Sequence, residues 1–419
     1  MKKIERPAYL EELITARGDG NIKVISGIRR CGKSYLLKHI FKDWLISDGV
    51  PASHILIFDL ENRRNKHLLN PDVLLDAIES RISDEDIYFI LIDEVQKVKE
   101  FSEVLESLLL IENTEVYVTG SNSRFLSKDI VTEFRGRSTE VHMYPLSFAE
   151  FLTAYDGPEN ESFLQYINYG GLPQILTQVT HSKKAAFLNR IFRTVYLRDI
   201  YERYTIEYPD EFEELVKVLA SAIGAPTNPL NLANTFKSKK HLNDITDKTV
   251  SSYISYIENA FLIEKAERYD IKGKAYIDSP FKYYFQDPGL RNAILSFRQV
   301  EETHLMENVI FNELRLRGFS VDVGQVPVRI VNEEGKQVRR TYEVDFVANK
   351  GSQRYYIQSA WMMPDEEKEE QESRPFRSIS DSFKKIIVTG DNVLLKRDEN
   401  GIVTIPVTQF LKDPNSLDL

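Results

Sequence analysis

The sequence predicts an α/β fold with a mainly parallel sheet, on three observations. Residues Gly27 to Ser34 read GIRRCGKS, the G-x-x-x-x-G-K-[ST] pattern of a phosphate-binding loop. A short β-branched run, Ile22 to Ser26, precedes this loop, and a helical apolar stripe follows it at Leu36, Leu37, Ile40, Phe41, Trp44 and Leu45. A second apolar run, Tyr88-Phe89-Ile90-Leu91-Ile92, ends at once in Asp93 and Glu94. Strand, Gly-rich turn and helix together aim backbone N–H groups and a helix N-terminus at phosphate. Strands alternating with helices then call for parallel pairing.

A chain of 419 residues has room for about two to four domains. Its 42% hydrophobic and 28% charged composition is that of a water-soluble globular protein. The net charge of −10 argues against a globally basic nucleic-acid binder, so any basic surface must be local. No stretch of about 18 apolar residues occurs, and the opening MKKIERPAYLEELI lacks an apolar leader core. With a single cysteine, Cys31, an intrachain disulfide is excluded. The expected location is cytoplasmic, with no membrane partner.

Taken in order, residues 1 to 20 carry a short helical pattern (Leu10, Leu13, Ile14) expected to pack on the nucleotide domain. In the loop, Gly27 and Gly32 let the backbone approach a ligand without a Cβ in the way. Arg29, Arg30, Cys31 and Tyr35 complete the expected nucleotide-binding set. Lys33 would reach the β- and γ-phosphates of ATP, and the Ser34 hydroxyl would ligate Mg²⁺. Cys31, beside a helix N-terminus and two arginines, is either an acidified thiol or a small residue filling the loop. The strand Ile55 to Phe58 ends at Asp59 and Glu61, which face either the ligand crevice or solvent. Pro71 opens a helix.

Asp93 and Glu94 form the second nucleotide motif: Asp93 would hold Mg²⁺, and Glu94 would polarise the attacking water. After the strand Val116 to Thr119, Asn122 is the expected contact to the γ-phosphate or the water, with Ser121 as substitute. Arg137, in Phe134-Arg135-Gly136-Arg137, suits an arginine finger, whose planar cation stabilises transition-state charge.

The segments GIRRCGKS, FILIDEVQ, VTGSNS, FRGRS, YPLSFAEFL and YGGLP are followed in order by YLRDI, YISYIENAFLIEKAERYD, KYYFQDPGLRNA, EVDFV and YYIQSAW. In that order, over nearly the whole chain, the protein resembles the bacterial and archaeal AAA+-type P-loop ATPases with a C-terminal domain of unknown function. The resemblance implies an ATPase core (residues 1–145), a helical lid (146–224), a winged-helix segment (225–300) and a restriction-endonuclease-like tail (301–419). It also implies a homo-oligomer in which Arg137 acts in trans.

Residues 146 to 224 read as helical, and one stretch sets an apolar stripe (Phe187 to Tyr204) against Arg190, Arg193, Arg198 and Arg203. Beyond Pro226 to Pro229, a helix from about Asp247 buries Val250, Tyr253, Ile254 and Ile257, and two strand-like runs flank Lys272-Gly273-Lys274. That segment either contacts DNA or binds a protein. In the tail, nucleases of the resembled fold need an Asp and then Glu-x-Lys. Asp345 is present and Glu307 could assist, but the Glu-x-Lys positions read Gln358-Ser359-Ala360. The run Asp365 to Glu372, with six acids and one lysine, reads as a solvated loop. The expectation is a Mg²⁺-dependent ATPase coupled to C-terminal recognition modules. The alternative is a slow nucleotide-gated scaffold for a protein partner, and an ATP-regulated nuclease stands third.

Overall fold

The structure, a computed structural model, describes residues 2–120, 136–240, 245–331 and 335–419. It divides into two compact units, one of Met1–Pro145 with Asn259–Phe261, the other of Leu146–Glu258 with Leu262–Leu419. No helix among the described residues is long and apolar enough to cross a membrane.

The first unit is built on five strands, β1 (Ile22–Ser26), β2 (Ile55–Asp59), β3 (Tyr88–Asp93), β4 (Thr114–Thr119) and β5 (Ser138–His142), in the order β2-β3-β4-β1-β5. Every pairing is parallel. Every residue of β1 and of β3 is buried, which is why both read as unbroken runs instead of alternating ones. One face packs Ile22, Val24, Ile90, Ile92 and Val118 against the helices Pro71–Glu79 and Phe101–Leu108. The register sets Asp59 beside Asp93 and Ile25 beside Thr119. The loop after β1 and the acids after β3 therefore open at the same carboxyl edge of the sheet, where ligands of open α/β folds bind.

The second unit joins a helical region to an eight-stranded mixed sheet. Its strands are β6 (Ile263–Asp270), β7 (Ala275–Phe285), β8 (Ser320–Val331), β9 (Gln337–Lys350), β10 (Gln353–Ala360), β11 (Lys384–Thr389), β12 (Lys396–Arg397) and β13 (Val403–Pro406). Their order is β12-β13-β11-β10-β9-β8-β6-β7. The β6–β7 hairpin, expected as part of a winged helix, pairs in parallel with β8, so the sheet runs across residue 300.

One expectation is corrected here. The acidic run is a helix, Glu366–Arg377, and not a loop. Asp365 caps it by accepting from the Lys368 N–H at 2.8 Å. The acids of its first turn lie at the positive end of the helix dipole, and Arg374 and Arg377 lie at the negative end. Buried Phe376 anchors it to the core, and Lys368 and Lys396 pair with Glu372 and Glu369.

In the first unit, β1 carries a buried charge: the Lys23 ammonium meets Glu115 on β4 at 2.5 Å and Asp19 at 3.1 Å. Glu115 also accepts from the Gly18 N–H. Glu115→Ala strands that cation beside the central strand and is expected to cost about 3–5 kcal/mol in urea unfolding. A loss below about 1 kcal/mol would mean that Asp19 alone neutralises Lys23.

Candidate functional site

The phosphate-binding loop is shaped by the backbone of its neighbour. Gly27 has φ 128°, and a Cβ there would lie 2.1 Å from the Met143 carbonyl oxygen; Gly32 has φ 112°. Only glycine fits at position 27, for steric and conformational reasons alike. Lys33 is buried and its Nζ donates to the Gly27 and Ile28 carbonyls at 2.8 and 3.1 Å. From below, the Arg6 guanidinium is buried and donates to the Cys31, Tyr144 and Pro145 carbonyls while stacking on Tyr9. The N-terminal helix Pro7–Thr15 is thereby fastened to the loop. Nothing in the sequence pattern singles Arg6 out, because its partners are backbone atoms up to 139 residues away.

From Lys33 to Ser47 the chain is one helical run that takes wide i→i+5 turns over Leu36–Phe41. Lys38 lies in that widened part. Its ammonium sits 2.8 Å from Asp93 and 2.9 Å from Asp59. Burial opposes both charges, yet the pairing prevails: the Asp59 carboxyl is lowered, and the Lys38 ammonium is raised, from their ordinary values. Asp93 is fully buried, and its other oxygen accepts from the Thr119 hydroxyl at 2.6 Å. The same hydroxyl oxygen accepts from the Glu94 N–H at 2.9 Å. Glu94 has φ 58°, a left-handed backbone that a non-glycine residue holds only when its surroundings impose it. Thr119 imposes it, and the Glu94 carboxylate in turn accepts from Gln96. A polar residue closing the apolar run Val116–Val118 was the only sequence signal for Thr119. For Lys38 it was a lysine one turn past Lys33.

The remaining expected residues are placed as follows. Ser34 is half-buried in the first turn after the loop, and Tyr35 is exposed and stacks on His39. Arg30 is exposed with φ 70°, and Arg29 is half-buried. Cys31 is fully buried. Glu61 points outward, 3.9 Å from Lys97. Arg137 is exposed just before β5, where its carbonyl accepts from the Ile22 N–H. It thus lies at the opposite end of β1 from Gly27, about 13 Å of strand away. Asn122, Ser121 and Arg135 lie outside the described residues.

These groups fit a nucleotide and its metal. The loop has a cradle that a Cβ would fill, and a cation, the Lys38 ammonium, already stands against the Asp93 carboxylate.

The second unit holds a separate charged cluster. Glu307, on the helix Glu302–Leu316, faces Asp345 and Glu343 of β9. Among them lies the buried Lys282 of β7, 3.0 Å from Glu307 and 2.9 Å from Glu343. The Tyr284 hydroxyl donates to Glu307 at 2.7 Å. Burial, then Glu307, raise the Asp345 carboxyl well above its ordinary value, and its Oδ2 accepts from the Ser359 N–H. Gln358 stands beside it, its side-chain oxygen 3.3 Å from the Asp345 amide. Lys282 escaped the sequence reading, although a lysine inside the aromatic strand FKYYF was its signal.

Residues 19–152 match an AAA domain, and residues 160–301 match a domain of unknown function. An uncharacterized protein of Haemophilus influenzae is 33% identical over 415 residues, covering 97% of this chain and 98% of the relative. An uncharacterized protein of Methanocaldococcus jannaschii is 29% identical over 390 residues, covering 90% and 81%. Among solved structures, the Walker-type ATPase of Pyrococcus abyssi has a similar fold, with TM-score 0.50 and 14% identity. The similarity covers 70% of this chain and 96% of that one.

The Lys38 bridge makes a measurable forecast. Lys38→Met leaves Asp93 buried without a cation and is expected to cost about 2 kcal/mol in urea unfolding under chelator. Millimolar Mg²⁺ should restore most of that loss by taking the place of the ammonium between Asp59 and Asp93. An equal loss with and without Mg²⁺ would mean that Asp59 and Asp93 do not form a cation site.

Proposed function

Because the chain belongs to the AAA-type P-loop ATPase family that carries a C-terminal domain of unknown function, we propose that it is a Mg²⁺-dependent ATP hydrolase. Its nucleotide cycle would shift the conformation of C-terminal recognition modules. The observation that carries this reading is the convergence at one sheet edge of the Gly27–Ser34 loop, Asp93 and Glu94, linked through Lys38 and Thr119. In this reading the loop amides and Lys33 bind phosphate, and Ser34 and Asp93 hold the metal. Bound Mg²⁺ would supply charge neutralisation at the β- and γ-phosphates. Glu94, held by Thr119 on the far side of Asp93, accepts the proton of the attacking water. Lys33 must leave the Gly27 and Ile28 carbonyls, and Lys38 must release Asp93, as nucleotide enters. Arg137, at the other end of β1, serves a neighbouring copy in a homo-oligomer and not its own loop. Asn122 remains the proposed γ-phosphate contact.

We assign the C-terminal sheet a recognition role without nuclease chemistry. The Lys282 ammonium lies among the carboxylates that a catalytic metal would need, Gln358 is a poor metal ligand, and Ala360 has no proton to move. Incubation with plasmid and single-stranded DNA in Mg²⁺ or Mn²⁺ is expected to give no nicking or degradation. Cleavage that disappears in Asp345→Ala would overturn this.

Two variants test the ATPase reading. Lys33→Ala removes a charge-assisted phosphate contact worth about 1.5–3 kcal/mol, so ATP affinity should drop at least about tenfold by titration calorimetry while the fold persists. Glu94→Gln should bind Mg·ATP about as well as the parent and hydrolyse it about 10²–10⁴-fold more slowly. Parent-like turnover in Glu94→Gln would transfer the base to another residue, Asp59 first.

A further inference from the structure

With a net charge of −10, the chain must concentrate any basic surface locally. It does so in one cleft of the second unit, of about 760 Å³. The walls come from three elements: the β8–β9 hairpin, the C-terminal turn of the helix Glu366–Arg377, and the turn after β6. They bring together Lys272, Arg329, Arg339, Arg374 and Arg377, with Tyr342 on the wall and, among the described residues, no carboxylate lining the cleft.

These cations are not accounted for by internal pairing. All five are exposed. Among the described residues, Arg377 alone of the five has an acidic partner, Glu370 at 2.7 Å. Both members of that pair are 45% exposed, so it is a surface pair of small worth, open to exchange. Arg329 and Arg339 stand directly opposite each other across the antiparallel strands, where like charges are destabilising. The helix dipole explains cations in the last turn of Glu366–Arg377, but it explains none of those on the hairpin or at Lys272.

We propose that this cleft binds the phosphodiester backbone of a nucleic acid. Arginine forks match phosphate oxygens, and a polyanion would repay the self-repulsion of cations clustered in this way. One or two arginines suffice for a single phosphate, whereas here the cations are spread over three separate elements. The contact is therefore not the outward face of the helix Asp247–Asn259, which carries Lys248 among Ser251, Ser252 and Ser255. Lys272 takes part and Lys274, which does not line the cleft, does not. The inference names the partner of the recognition role proposed above. Because binding is read without nucleotide, its failure leaves the ATPase reading intact.

The test is fluorescence anisotropy of labelled 20-mer single- and double-stranded DNA and RNA on the full chain, without ATP, over a salt series. The parent should bind at least one of the four, and binding should fall steeply with salt. The double variant Arg329→Glu/Arg374→Glu should bind at least about tenfold more weakly, with the log–log salt slope reduced by about one per cation removed. The variant Arg329→Lys/Arg374→Lys should keep most of the affinity, and Lys274→Glu should match the parent. Both altered arginines are exposed, and a thermal melt confirms that the variants fold. Three results would overturn the proposal: no binding of any of the four by the parent at 50 mM salt, parent-like binding by the Glu double variant, or equal affinity for free tripolyphosphate. Preferential binding of a polyglutamate peptide would assign the cleft to an acidic protein and likewise overturn it.

Discussion

The nucleotide end of the first unit depends on a buried carboxylate, that of Asp93, being satisfied from both sides. Thr119 donates to one oxygen, and the Lys38 ammonium neutralises the other. A fully buried carboxylate without such partners would be too costly to keep ionised. Those two contacts also fix the geometry around it. Lys38 fastens the helix that begins at Lys33 to β2 and β3, and Thr119 holds Glu94 in its left-handed conformation. The contacts around the Asp93 side chain thus tie the helix that follows the Gly27–Ser34 loop, β2 and Glu94 to one sheet edge.

The same solution recurs in the second unit at larger scale. There Glu307, Glu343 and Asp345 share one buried ammonium, Lys282, which burial alone would discharge. The surrounding carboxylates instead hold it above its ordinary value. The two sites nevertheless differ in what their lysine can do. Lys38 is partly exposed and carried on a helix, so its side chain has room to turn toward solvent. Lys282 is almost wholly enclosed although it lies on the edge strand β7, and it is held by Glu307 and Glu343 at once.

What the sequence made legible was local. The loop, the strand ending in Asp93-Glu94 and the helix stripe after Lys33 announce themselves within a few residues, because the spacing of residue types reports the backbone directly. Groups whose meaning depends on distant partners did not announce themselves. Arg6 meets the carbonyls of Cys31 and Tyr144, Lys282 meets Glu307 and Glu343, and Thr119 acts on the end of a different strand. The acidic run from Asp365 was misread for a related reason. Composition favoured a solvated loop, but an N-cap, a favourable dipole and the burial of Phe376 each add to helix stability, and none registers in a count of charges.

Charge segregation completes the picture of the second unit. The acids of the helix Glu366–Arg377 gather at its N-terminal half, where Glu366, Glu369 and Glu370 border one pocket with Asp398 and Glu399. Its C-terminal turn contributes Arg374 and Arg377 to the basic cleft. Arg377 lines both pockets and pairs with Glu370, so it stands where the acidic and basic surfaces meet, and the sign of each helix end is matched to its own dipole. Such an arrangement costs the fold little at the helix itself. Self-repulsion is concentrated instead in the hairpin, where Arg329 faces Arg339 and no carboxylate among the described residues lines the cleft. Backbone pairing and the packing of Val326, Val328, Tyr342 and Val344 hold the hairpin against that repulsion, and an anion in the cleft would relieve it.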